Sequence, residues 1–289
     1  MRDSMGDVAM NGVPLFMVRR CWDQCRLSYR DENESEHMHH ARASRSLHRM
    51  GLKLVRKFQE NGCEVLLSSN NDGDEATVAV RGTERTRDGI PWWMRLVRSE
   101  WALDGWGVMV EDQALEGNVH QGFMYHSSPM AVALFEFLSK CSFKRVNFTG
   151  HSLGGAVANR LAGVLGVKGV PVGSLVTFAA PAVGDAHWAN KVERVVGYQN
   201  CWRVVNCADV ITRLKLQRLT SMLQGRAVRH AGQLLYINRH GRLETKSNVL
   251  DRLADRTTAR LSDWHLYQLG YEHHSVESYD AAVQSICAL

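Results

Sequence analysis

The stretch FTGHSLGGAVANRLAG, residues 148–163, sets Ser152 between Gly150 and Gly154. A serine hydroxyl does chemistry at neutral pH only when a base takes its proton and a third group orients that base. Lys144–Thr149 alternates as a strand and Ala156–Leu165 is rich in helix formers, so the residues between them form a strand-to-helix elbow. Glycines two before and two after the serine remove side chains that would collide across so sharp a turn. The hydroxyl is pushed clear of the sheet, and the first N–H groups of the following helix point at it, where they can stabilise an oxyanion. The plainer alternative is a glycine-rich turn with an incidental serine. The strand–turn–helix setting favours a nucleophile.

The rest of the chain must supply its partners. In WRVVNCADVITRL, Asp209 follows a strand end and is the candidate acid, although an aspartate that merely caps a turn would look the same. Asp185, in FAAPAVGD, competes for the role, but a helical pattern begins after it and a helix N-cap suits it better. For the base, DWHLYQLGYEHHSVESYDAAV offers His265, His273 and His274. Placement just before a helical pattern favours the adjacent pair, and spacing does not choose between His273 and His274. A second oxyanion donor is expected from an earlier strand end. In TVAVRGTE that position is Thr83, which offers an N–H and a hydroxyl after a glycine that lets the backbone approach closely.

These residues need a frame to hold them. Strand-like runs fall at 63–68, 76–81, 144–149, 173–179, 201–206 and 233–238, and helical patterns at 14–29, 41–60, 129–140, 154–167 and 185–195. In the 41–60 pattern Leu47, Met50, Leu54 and Phe58 recur at three- and four-residue steps, opposite Arg42, Arg45, Arg49, Lys53 and Arg56. Such a basic face is ordinarily solvated, with docking on a membrane surface the rarer alternative. Alternating strands and helices predict an α/β fold with a mainly parallel central sheet and helices on both faces. Functional residues then gather at the carboxyl ends of the strands, where Thr83, Ser152 and Asp209 fall. The predicted organisation is a single domain over residues 1–289, with an N-terminal helical portion of about 1–60.

Composition narrows the class. The 289 residues can bury a sizeable core, and a net charge of +5 allows attraction to anionic surfaces without indicating a nucleic-acid binder. Seven scattered cysteines argue against a disulfide framework and for a reducing compartment. Cys21 and Cys25 lie one helical turn apart, which is no zinc spacing. In the N-terminal MRDSMGDVAMNGVPLFMVRR only Val13–Val18 is apolar, so neither a cleavable signal nor a transmembrane segment is expected. The predicted location is cytoplasmic. Export without a cleavable signal would leave no mark here.

Eight stretches together resemble the class 3 lipase family, the fungal-type triacylglycerol lipases of the α/β-hydrolase superfamily. They are LSYRD (27–31), AVRGTE (79–84), VHQGF (119–123), TGHSLGGA (149–156), VTFAAPAVGD (176–185), RVVNCADVITRL (203–214), RHAGQLLYI (229–237) and HSVESY (274–279). No one of them is decisive; their order and intervals are. The resemblance implies the α/β-hydrolase fold, with Ser152 as nucleophile, Asp209 as acid and His274 as base. His-Ser followed by a tyrosine is what puts His274 ahead of His273. It also implies Leu153 N–H and Thr83 as the oxyanion hole, and a packing role for His120 and Gly122. Thr212 and Lys215 stand where the family often has prolines, so the path of the basic segment after the acid departs from the family's.

The resemblance further implies a lid over residues 85–101, RTRDGIPWWMRLVRSEW, in which Trp92, Trp93 and Leu96 are candidate substrate contacts and Arg95 and Arg98 face outward. A core-packing helix is the alternative for that segment. The implied activity is hydrolysis of acyl esters, the substrate an acyl lipid, with a lipid–water interface as one setting, or another apolar ester, through an acyl-enzyme and without metal or organic cofactor. A phospholipase A or an acyltransferase would use the same three residues. A binding module with the same fold would ordinarily lack one of them.

Overall fold

The computed structural model describes residues 9–10, 13–31, 33–82, 108–207, 209, 211–213, 228–245, 252–253, 255 and 274–287. Thr83, the segment 85–101 with Trp92, Trp93 and Leu96, Lys215, His265 and His273 lie outside the described residues.

An eight-stranded sheet carries the structure. Its strands are β1 (Leu52–Glu60), β2 (Cys63–Asn70), β3 (Glu75–Val80), β4 (Arg145–His151), β5 (Val172–Phe178), β6 (Cys201–Asn206), β7 (Gln233–Ile237) and β8 (Leu243–Glu244), and they lie side by side in chain order. β3 through β7 are parallel, while β1, β2 and β8 join antiparallel at the two edges. Parallel strands buried on both faces read as apolar β-branched runs, which is why the sequence marks them within two residues of their ends.

Among the described residues six helices cover the sheet: α1 (Leu15–Leu27), α2 (Glu36–Arg49), α3 (Gln121–Leu138), α4 (Leu153–Val167), α5 (Ala186–Val196) and α6 (Val276–Cys287). On one face Phe123, Met130 and Leu134 of α3 join Val157 and Leu161 of α4 and Trp188 and Val192 of α5 in the largest apolar cluster. On the other face Val18 and Trp22 of α1 pack with Tyr279 and Val283 of α6, and Ala43 and Leu47 of α2 with Leu52 and Leu66. A small second sheet pairs Met109–Asp112, Gly117–His120, Gly184–Asp185 and Val228–Arg229.

The predicted helix at 41–60 is corrected: it is the end of α2 followed by β1, so the N-terminal portion of 1–60 is not helical throughout. Ser35 caps α2 by accepting from Met38 N at 3.2 Å, and Gly51 at φ +69° ends it in a turn. The sequence misleads because steps of four residues suit a helix and are also even, as a strand requires. A β-bulge after Leu54 then turns that residue toward α2 and Phe58 toward α3, so the two share no face. The basic face divides with it, Arg45 and Arg49 on a helix and Lys53 and Arg56 on an edge strand.

α3 also starts eight residues before the predicted 129–140. Pro129 reads as a helix start, since its missing N–H suits the first turn. Here it sits inside the helix, and the carbonyl of Tyr125 that it cannot reach accepts instead from Asn61 Nδ2 at 3.3 Å. Asp185 caps α5 as expected, accepting from Trp188 N at 2.9 Å.

Candidate active site

β4 runs into Ser152, and α4 begins at the next residue. Ser152 has φ 57° and ψ −126°, a backbone state that costs a non-glycine residue about 1–3 kcal/mol. Its N–H donates to Phe178 O at 2.9 Å, which ties the strained residue to the end of β5. The flanking glycines are a steric demand. A Cβ on Gly150 would lie 2.3 Å from Gly154 O, and one on Gly154 would lie 2.3 Å from Val80 O. Leu153 opens α4, so its N–H is among those without an acceptor inside the helix.

His274 stands between Ser152 and Asp209. Its Nε2 is 2.8 Å from Ser152 Oγ, and its Nδ1 is 3.0 and 2.9 Å from the two oxygens of Asp209. A carboxylate only accepts, so Nδ1 carries the hydrogen and Nε2 is left to accept from the serine hydroxyl. All three residues are buried. Asp209 is fixed in turn: Ile211 N donates to Oδ1 at 2.8 Å, and the Tyr279 hydroxyl donates to Oδ2 at 2.8 Å while accepting from Asn206 N at 3.0 Å. Burial, and next the charge of Asp209, hold the Tyr279 phenol well above its usual pKa, so it remains a donor.

Asp185 stays with α5 and the small sheet, where its carboxylate also accepts from Asn118 N and Nδ2. His120 caps α3 by accepting from Gly122 N at 3.2 Å. Thr212 is buried behind the acid, its hydroxyl donating to Asp209 O at 3.4 Å.

Sequence reasoning gave no role to Tyr279 and His151, which touch these groups, or to Tyr29, which touches His151. Tyr279 holds the acid; His151, beside the serine, bonds His274 O at 2.8 Å and the Tyr29 hydroxyl at 3.0 Å. The signals were present, since these residues lie in HSVESY, GHSLGG and LSYRD. Trp22 supports them from below, edge-on to Phe178 with ring centroids 4.9 Å apart. Among the described residues no group of His, Cys, Asp and Glu is placed to hold a metal ion, and no helix is long and apolar enough to cross a membrane.

Residues 77–219 match the Lipase (class 3) family. Over 159 residues the chain is 29% identical to a secreted mono- and diacylglycerol lipase of Fusarium solani, covering 54% of this chain and 44% of that protein, so it spans less than half of that relative's length. Its structure is similar to a propeptide complex of Rhizomucor miehei lipase, at TM-score 0.55 and 19% identity over 77% of this chain and 67% of that one. It is likewise similar to a lipase of Rhizopus microsporus var. chinensis, at 0.53 and 18% over 77% and 72%. At such identities the two likenesses show the α/β-hydrolase fold.

The Fusarium protein also corrects the cytoplasmic expectation, because a secreted relative points to an extracellular location. The cysteines were poor witnesses for a compartment. Burial pushes the Cys21, Cys63 and Cys201 thiols up to about 12, so they carry no thiolate to react in either setting. The family match thus runs from β3 through the elbow to the residues just past Asp209, on an α/β-hydrolase sheet, so this half of the chain is similar to the class 3 lipases.

Proposed function

We propose that this protein is a serine carboxylic ester hydrolase that cleaves acyl lipids, with partial acylglycerols as the first substrates to try. Ser152 Oγ attacks the ester carbonyl as its proton passes to His274 Nε2, while Asp209 keeps the ring oriented and stabilises the imidazolium. Leu153 N–H and Thr83 receive the developing oxyanion, each donor contributing roughly 3 kcal/mol in the transition state. His274 then gives its proton to the departing alcohol oxygen, leaving an acyl ester on Ser152. Water attacks that ester, giving its proton to His274, and the carboxylic acid leaves as Ser152 regains its hydrogen.

The observation that carries this reading is the 2.8 Å contact of Ser152 Oγ with His274 Nε2, on a ring whose other nitrogen is held by both oxygens of Asp209. The substrate class is supported by the name of the Fusarium relative. Ser152→Ala should abolish p-nitrophenyl ester hydrolysis and fluorophosphonate labelling while the fold is kept. Full activity in that variant would sink the mechanism. A panel of emulsified mono- and diacylglycerols, phospholipid vesicles and soluble short esters tests the substrate. Faster turnover of the vesicles would move the reading to a phospholipase A.

A further inference from the structure

We propose that His151 is a positioning residue: held by Tyr29 as a single neutral tautomer, it anchors the main chain of His274 and thereby sets the reach of the base to Ser152. The inference rests on Ser152 and His274 acting as nucleophile and base.

The tautomer follows from the partners. His151 Nε2 lies 2.8 Å from the carbonyl oxygen of His274, which only accepts, so Nε2 bears the hydrogen. A neutral ring then has a bare Nδ1, and the Tyr29 hydroxyl at 3.0 Å must donate to it. Burial, and next the neighbouring His274 ring, hold His151 well below its usual pKa. Burial above all raises the Tyr29 phenol well above its own, so neither partner inverts the pattern near neutrality.

The pair joins parts of the chain that are far apart. Tyr29 follows α1, and its carbonyl is fixed from α2 by Arg42 Nη2 at 2.7 Å. The end of β3 presses on both members: a Cβ on Gly82 would lie 2.2 Å from the Tyr29 hydroxyl oxygen and 2.6 Å from His151 O. His151 is also the residue before the nucleophile, and its ring centroid is 4.9 Å from that of His274. Asp209 controls the rotation of the His274 ring, and His151 controls where that residue's backbone stands. Both must be right, because a displacement of about 1 Å in a reacting group can cost about a hundredfold in rate.

Three replacements at His151 separate the contacts. Glutamine can place an amide N–H near the Nε2 position, asparagine reaches only the Tyr29 side, and leucine makes neither bond. The readouts are kcat and KM on a soluble p-nitrophenyl ester, the rate of fluorophosphonate labelling at Ser152, and thermal unfolding. We expect kcat and labelling rate to fall together by about ten- to a hundredfold in His151→Asn and His151→Leu, with KM held within about twofold. His151→Gln should recover most of the rate. Wild-type labelling rates in folded His151→Asn and His151→Leu would overturn the proposal, as would equal losses in all three variants. If the asparagine and leucine variants fail to fold, Tyr29→Phe, which removes one hydroxyl, must still slow labelling, and an unchanged rate there overturns the proposal. Failure of the wild-type protein itself to be labelled would strike the esterase reading instead.

Discussion

Ser152 and His274 meet across 2.8 Å, yet the elbow that carries the serine and the segment that carries the histidine are fixed by different means. The elbow is held by exclusion: Gly150, Gly154 and Val80 bring backbone against backbone, and there is no volume for a side chain. The histidine is held by directed bonds from Asp209, His151 and, through the acid, Tyr279. The first arrangement is intolerant of a single added carbon. The second rests on single bonds, and losing one is expected to cost aim before fold.

The largest expected effect breaks the elbow. Gly154→Ala puts a Cβ 2.3 Å from Val80 O with backbone on both sides, so it should destabilise the protein by roughly 3 kcal/mol or more. Urea unfolding and soluble yield measure this; near-wild-type stability would show that the elbow can relax. Next is a break in the bonded arm. Asp209→Asn keeps the shape but favours the wrong tautomer of His274, and kcat should fall on the order of 10⁴-fold with the fold intact. A loss under tenfold, read by ester turnover beside near-UV circular dichroism, would mean that the ring is oriented by something else.

The smallest effect sharpens the contrast through pH. His151 takes a proton near 6.5 when unfolded but resists it when folded. Stability is therefore fully present above that value and declines as pH falls below it, because the unfolded state alone gains the proton. His39, also depressed chiefly by burial, acts in the same direction. Unfolding midpoints at pH 7 and pH 5 should fall further for wild type than for His151→Gln. Equal falls would show that the His151 site does not exclude the proton.

Legibility in the sequence follows the same division. The elbow is local, and its glycines declare it in a single short stretch. The central strands are nearly as plain, since apolar and β-branched residues alternate or cluster in them, as in VNF at 146–148 and LVTF at 175–178. Asp209 is preferred to Asp185 because a helix N-cap suits the latter, whereas spacing does not separate His274 from His273 and only the His-Ser-to-tyrosine ending of the family puts His274 ahead. The Tyr29–His151–His274 connection was hidden because its bonds span more than a hundred residues and leave no periodic trace. The break between α2 and β1 was hidden because four-residue steps suit both periods, and the bulge lies between the residues that suggested a helix.

The strand order has a consequence for synthesis. β1 to β8 lie in the sheet in the order in which a ribosome makes them, so each new strand meets a neighbour already present and the sheet grows from one edge. α1 is made early, but α6, which packs beside it, is made late. Trp22 waits for residues 274–287, which bring Tyr279 against it and the Tyr279 hydroxyl to Asp209. A nascent chain thus carries a finished elbow before the segment that places His274 beside Ser152 has been made.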